Sequence, residues 1–383
     1  MMKSLKKIVK SIIKTLLLLF PVRNNKVIFC SFGGKNYGGN PKYIAEEIAR
    51  KHPNVDMVWI LKNPLETIPK GMRKVRANSV RCLYEYRTAK VIVQDIRNSH
   101  FCKKRRGQYY LQTWHGARHT KEVEKAAGAT LSDSYIAQAK YDGSVTDAFI
   151  VDSELQVQIA KRDFWLNDDV EFLMHGLPRN DIFFDSKKKS EASKKVRKVF
   201  KMKGNDYLVL YAPTFRDDGS TDAYVTNFER LLDAFDRKTG KNSIIMVRFH
   251  PNVDKRTVGV TYGDRVIDAS EYPDMEELAI ACDCCISDYS SSIFGFVTMS
   301  KPVFLYAPDY DEYSAGRGLS REFLNIPLRF NKSIGELVEE VLAFKKEDYV
   351  KKIDKMNRDA QVVDDGHASE KAAEWIMNKI KKG

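Results

Sequence analysis

Short apolar runs alternate with stretches of helical spacing along almost the whole chain, and this alternation constrains the fold more than any other feature. In the first half the runs KVIFCSF, DMVWIL, KVIVQD, YYLQTW and AFIVDS read as strands. Helices are predicted from Asn40, as N-cap ahead of Pro41, through KYIAEEIARK, near VRCLYEYRTA, around SYIAQAKYDG and from Glu154 to Phe164. After the lysine-rich segment KKKSEASKK the pattern restarts, with strands YLVLYAPTF, SIIMVRFHP, CCISDYSS and PVFLYAP and helices over 227–238, 274–282 and 292–299. Further helices are expected near 333–344, 347–359 and 367–382. Such alternation builds open, mostly parallel sheets, so the chain is expected to form two α/β, Rossmann-like domains facing a cleft, covering residues 23–190 and 191–383. The length of 383 residues suits two domains of ordinary size.

Ligands of parallel sheets bind beyond the carboxyl ends of the strands. The unusual polar residues gather there: His115 after YYLQTW, Thr214 and Arg216 after VLYAP, Arg248 and His250 in MVRFHP, and Ser287, Asp288, Ser290 and Ser291 after CCI. Histidines that merely fill a core would not recur at strand ends in this way. The SDYSSS segment offers hydroxyls and backbone amides at a helix start, which suits phosphate oxygens as well as simple capping. Beside Arg216, Arg248 and His250 it is expected to form a diphosphate site. GGKNYGG lacks the lysine–hydroxyl pair of a Walker A loop and is read as a cleft wall. His115 and His119 stand four apart, but without the glutamate and third ligand of a zinc site, so no metal is assigned. Asp309 and Asp311 make the D-x-D pattern of metal-dependent sugar transferases, a pairing that arises readily by chance.

The chain carries 64 Lys and Arg against 51 Asp and Glu, a formal charge of +13 that favours polyanions or anionic surfaces as partners. Nucleic acid is set aside because no recognition helix or stacking-aromatic motif accompanies the charge. Cysteines at 30, 82, 102, 282, 284 and 285 lack metal-site spacing. Cys284 and Cys285 lie in an apolar run and are expected as buried thiols in a reducing cytoplasm. Over residues 1–22, Leu5, Ile8, Val9, Ile12, Ile13, Leu16, Leu17 and Phe20 share one helical face while Lys3, Lys7, Lys10 and Lys14 project from the other, with Pro21 as the stop. The unbroken apolar run Leu16–Phe20 is far short of the roughly 20 residues of a membrane span. A basic amphipathic helix lying on an anionic membrane surface is the expectation.

The chain resembles the CDP-glycerol glycerophosphotransferase family, the teichoic-acid primases and polymerases with their capsule-polymer relatives. The matching pieces are QTWHG (112–116), GLPRND (176–181), YAPTFRDD (211–218), RFHP (248–251), SDYSS (287–291), PVFLYAPDYDEY (302–313) with Arg317-Gly318, and DDGHASEK (364–371), in the family's order. The resemblance implies a GT-B arrangement and transfer, without metal or cofactor, of a polyol phosphate from CDP-glycerol or CDP-ribitol to a lipid-linked saccharide or polyol-phosphate acceptor at the cytoplasmic face of the membrane. It makes the first domain the acceptor side and the second the donor side, with the last helix expected to pack back on the first. His115 is implied as the base, and His250, with Ser290 and Ser291, as holding the donor phosphates; Thr214, Arg216, Arg248, Ser287 and Asp288 complete that side. Trp114, Gly116, Arg118, Lys121, Arg179 and Asp181 are assigned to the acceptor side or the cleft lining. After WHG the sequence departs from the family, reading ARHTKEVEK where many members carry a small residue, proline and a lysine pair.

The chemistry agrees with that assignment. A hydroxyl is a poor nucleophile, and an imidazole with a pKa of about 6.5 is a suitable base, worth about 10² to 10⁴ in rate. Attack on the polyol-bearing phosphate would expel CMP while Arg216, His250 and helix amides meet the charge that builds on the leaving group. Two rivals differ in kind. A nucleotide-sugar glycosyltransferase of the same fold would usually release UDP, and a non-catalytic module binding anionic polymers would leave His115 and SDYSS without a task.

Overall fold

The computed structural model describes residues 15–97, 103–116, 118–216, 219–224, 226–250, 253 and 258–381 other than 317. The chain divides into two compact units: one of Met1–His115, Glu124–Asp181 and Val363–Gly383, the other of Gly116–Val123 and Ile182–Val362.

The first unit is built on a seven-stranded sheet of order β3-β2-β1-β4-β5-β6-β7. Its strands are β1 (Arg23–Cys30), β2 (Asp56–Leu61), β3 (Met72–Arg76), β4 (Ala89–Gln94), β5 (Tyr109–Gln112), β6 (Ala148–Val151) and β7 (Glu171–Met174). Every pairing is parallel. The central strands are buried on both faces, which is why they read as continuous apolar runs. The helix Ala368–Lys381 belongs to this unit, its Trp375 Nε1 donating to Glu171 Oε2 at 2.7 Å.

The second unit repeats the plan with a six-stranded sheet of order β10-β9-β8-β11-β12-β13, again wholly parallel. The strands are β8 (Tyr207–Ala212), β9 (Ser243–Val247), β10 (Val266–Asp268), β11 (Cys284–Ser287), β12 (Val303–Tyr306) and β13 (Phe330–Asn331). Tyr211, Phe235, Ile286 and Phe304 anchor its core. Cys284 and Cys285 are buried in β11, and burial pushes both thiols well above their ordinary range.

Two local expectations are corrected. The segment KKKSEASKK, to which no element was assigned, is helical: Ser186–Val199 is a helix whose first amides, at Lys187 and Lys188, donate to Asp185 Oδ1 at 3.0 Å each. It buries only Ala192 and Val196, too sparse a stripe to announce itself. Asn40 is not a helix cap; the helix starts at Gly39 and Asn40 lies inside its first turn, its side chain directed elsewhere. Of the basic N-terminal stretch, residues 1–14 lie outside the described residues. Its remainder includes a 3-10 turn, Leu17–Leu19, with Leu17 buried in a core cluster that includes Ile28, Cys82 and Tyr86, and with Leu16, Leu18, Leu19 and Phe20 exposed. Among the described residues no helix is long and apolar enough to cross a membrane.

Candidate active site

In both sheets the strand order reverses beside the first strand, and the candidate residues collect at that switch point, where loops diverge and leave a crevice. The two units solve the local problem alike. Asp95, directly after β4, accepts from the Phe32 amide after β1 at 2.7 Å; Asp288, directly after β11, accepts from the Thr214 amide after β8 at 2.8 Å. Each carboxylate thus closes its switch point through the loop of the neighbouring strand.

In the first unit Asp95 Oδ2 also lies 2.7 Å from the Ser31 hydroxyl. Burial raises the Asp95 carboxyl to about 7 against these bonds to its charged form. Gly39, at φ +61°, packs so close that a Cβ there would stand 3.0 Å from Asp95 Oδ2. The Asp95 main-chain carbonyl meets His115 Nδ1 at 2.8 Å. A carbonyl can only accept, so Nδ1 carries the proton and Nε2 of the neutral ring keeps its lone pair. Burial, reinforced by Arg179 and Arg97, lowers the His115 pKa despite that bond.

The loop that carries His115 is clamped through its own backbone. Asn40 Nδ2 donates to the carbonyls of Thr113 and Trp114, 3.0 Å each, while Asn40 Oδ1 accepts from the Arg179 amide at 3.2 Å. Arg179 Nη1 donates to the His115 carbonyl at 2.8 Å. The clamp holds Trp114 at φ +49°, a left-handed conformation costly for a tryptophan. Trp114 is buried against Phe164, with ring centroids 4.7 Å apart, and the Arg97 guanidinium covers its face at 5.3 Å. Arg97 is itself paired with Glu124 and with Asp142. Asp181 is occupied differently, capping the C-terminal helix by accepting from the amides of Ala368 at 3.0 Å and Ser369 at 2.7 Å. Gly176, at φ +89°, makes room for Asp364, whose Oδ1 accepts from the Leu177 amide at 2.8 Å.

In the second unit Arg216 is the buried centre. Its guanidinium reaches Asp288 at 2.9 Å and grips Asp309 through Nε at 2.6 Å and Nη2 at 3.0 Å. It also lies over the rings of Tyr289 and Tyr313, which stack at 3.9 Å. Ser287 Oγ donates to the Ala212 carbonyl at 2.6 Å, and Arg248 Nη1 to the Tyr272 carbonyl at 2.5 Å. His250 is exposed, its ring 5.8 Å from that of Phe215, and Ser290 and Ser291 are half-buried, with Ser290 Oγ 2.9 Å from Ser292 Oγ. Of the residues that the sequence assigns to the donor side, His250, Ser290 and Ser291 present accessible groups, whereas Arg216 and Arg248 are tied to neighbouring groups and Ser287 and Asp288 are buried. The D-x-D acids are both engaged by cations of the chain, Asp309 by Arg216 and Asp311 by Lys332 at 2.7 Å. Gly116, Arg118 and Lys121 fall in the second unit, Arg118 donating to Asn357 Oδ1 at 2.8 Å. Pro251, Asp217, Asp218 and Arg317 of the matching motifs lie outside the described residues.

Asp95 is a site residue that motif reading passed over, while Asn40 was read only as a helix cap, Asp309 only as half of a D-x-D pair, and Tyr313 only as the end of the PVFLYAPDYDEY motif.

Two parallel sheets with polar clusters at matching switch points define a GT-B-like α/β protein. Residues 12–378 match the model of the CDP-Glycerol:Poly(glycerophosphate) glycerophosphotransferase family, and the chain belongs to that family. It is 30% identical over 373 residues to the teichoic acid poly(glycerol phosphate) polymerase of Staphylococcus epidermidis, covering 94% of this chain and 52% of the relative. It is 28% identical over 321 residues to the teichoic acid glycerol-phosphate transferase of Staphylococcus aureus, covering 81% of each. The chain spans about half the length of the first of these. Among solved structures it is similar to the wall teichoic acid polymerase TagF, with TM-score 0.86, 28% identity and coverage of 100% of this chain and 97% of that one. A TagF variant has also been solved after soaking with CDPG.

Proposed function

We propose that the chain transfers glycerol phosphate from CDP-glycerol to a hydroxyl of a membrane-bound, lipid-linked acceptor, releasing CMP, in the synthesis of teichoic acid or a related cell-surface polymer. The observation that carries the chemistry is the His115 imidazole, its Nδ1–H committed to the Asp95 carbonyl and its Nε2 left as a base. The acceptor hydroxyl gives its proton to Nε2 as its oxygen bonds to the glycerol-bearing phosphorus; the bond from that phosphorus to the bridging oxygen breaks, and CMP leaves with the electron pair. A lowered pKa keeps the ring neutral, and so competent, at physiological pH. His250, Ser290 and Ser291 receive the donor diphosphate, with Thr214, Arg216, Arg248, Ser287 and Asp288 shaping the crevice. Arg179 and Trp114 hold the base. The N-terminal basic stretch, residues 1–22, brings the enzyme to the cytoplasmic face of the membrane, where its acceptor resides.

The test is nucleotide release by the purified protein with a lipid-linked saccharide acceptor, comparing CDP-glycerol, CDP-ribitol and UDP-sugars. Acceptor-dependent CMP from CDP-glycerol is the expected result. CMP only from CDP-ribitol would change the polyol, and UDP without CMP would overturn the reaction.

A further inference from the structure

Arg216 carries its positive charge into the crevice of the second unit, but two carboxylates, Asp288 and Asp309, surround it. The cluster as a whole is therefore not cationic. A diphosphate at Ser290 and Ser291 needs positive charge from beyond this cluster.

The segment after the base loop, where the sequence departs from its family, offers one. Residues Gly116–Val123 are part of the second unit. Thr120 is buried there, and its hydroxyl donates to the Tyr289 carbonyl at 2.6 Å, immediately before Ser290 and Ser291. The Ser320 amide donates to the Thr120 carbonyl at 3.2 Å and the Glu122 amide to the Gly318 carbonyl at 3.2 Å, while Lys121 bridges Leu319 antiparallel. Lys121 Nζ stands 5.4 Å from the centroid of the Tyr313 ring, the ring stacked on Tyr289.

We infer that the strap Arg118–Glu122 is a donor-side element: Thr120 positions Tyr289 and the serines after it, and Lys121 supplies the ammonium that meets the donor phosphates. This rests on the reaction proposed above and moves Lys121 from the acceptor to the donor. Thr120 acts through the main chain as a positioning residue; Lys121 acts by charge.

Titration calorimetry of the full-length protein with CDP-glycerol, at low and high salt, tests both. Lys121→Met is expected to weaken binding about ten-fold at low salt and to flatten its salt dependence, the signature of a lost phosphate contact. Thr120→Val is expected to weaken it about five-fold, as loss of one buried hydrogen bond does, with donor KM rising while acceptor KM holds, and Thr120→Ser is expected to restore it. A donor Kd unchanged in Lys121→Met, or a rise in acceptor KM instead, overturns the inference. Lys121 is half-buried, so its variant remains informative if Thr120→Val folds poorly. A wild-type protein that fails to bind CDP-glycerol overturns the proposed reaction itself, an outcome separate from any difference between variants.

Discussion

His115 donates through Nδ1 to the main-chain carbonyl of Asp95, while the carboxylate of the same Asp95 fastens the loop after β1. One residue therefore fixes both the tautomer of His115 and the floor on which its loop rests. A main-chain acceptor cannot be removed by changing a side chain, so the tautomer should survive substitutions that loosen the loop.

His115→Ala should lower kcat by about 10² to 10⁴ and leave CDP-glycerol affinity within a few-fold of wild type. His250→Ala should weaken binding as well as turnover. Calorimetry beside steady-state kinetics separates the two, and a His115 variant that loses donor binding in step with activity would reject the role of base.

The acidic limb of the kcat/KM profile should fall below the ordinary imidazole value of about 6.5, because burial lowers the His115 pKa. Asp95 has the opposite sign. Its pKa rises to about 7 on folding, so the stability it contributes is complete below its unfolded value of about 3.9 and is lost as pH climbs from there through 7. The melting temperature of Asp95→Asn should therefore gain on that of wild type between about pH 4 and about pH 7, where the unfolded carboxyl is ionised while the folded one still holds its proton. A constant gap across that window would show that the carboxyl is not protonated in the folded state.

Asn40→Ala removes both donors that clamp the Thr113 and Trp114 carbonyls. Loss of about 1–3 kcal/mol of stability is expected, with kcat falling more than donor KM rises. Asn40→Asp should be worse, since a carboxylate would face two carbonyl oxygens. Unchanged kcat in a folded alanine variant would remove Asn40 from the support of the proposed base.

Arg216→Lys keeps the charge but loses the fork that spans Asp288 and Asp309. Thermal unfolding should register a loss of about 1–3 kcal/mol, accompanied by weaker CDP-glycerol binding. A lysine variant as stable as wild type would show that two separate carboxylate contacts are not needed.

The interior of the fold was legible and its margins were not. The strands read from the sequence, such as KVIFCSF and YLVLYAPTF, are central and buried on both faces. The four that were missed, MRKVR in β3, EFLM in β7, VID in β10 and FN in β13, are the edge strands of the two sheets. Edge strands are short, polar or charged because solvent-facing edges that resembled central strands would pair with other chains. The site divides similarly. Histidines and hydroxyls at strand ends stand out in a sequence, but the side chains of Asn40 and Asp95 act on backbone groups more than 60 positions away, and the Asp95 carbonyl on a side chain 20 positions on. Arg216 stands out as a cation after a strand, but its carboxylate partners Asp288 and Asp309 are too far away in the sequence to be read with it.

The first unit includes Val363–Gly383, with Asp181 holding the amides of Ala368 and Ser369. During synthesis this sheet emerges well before Val363–Gly383, and one of its covering helices is missing until those residues leave the ribosome. The second unit, whose sheet lies between them in the sequence, can mature earlier. Truncation at residue 362 should therefore impair the unit whose sheet is translated earlier of the two.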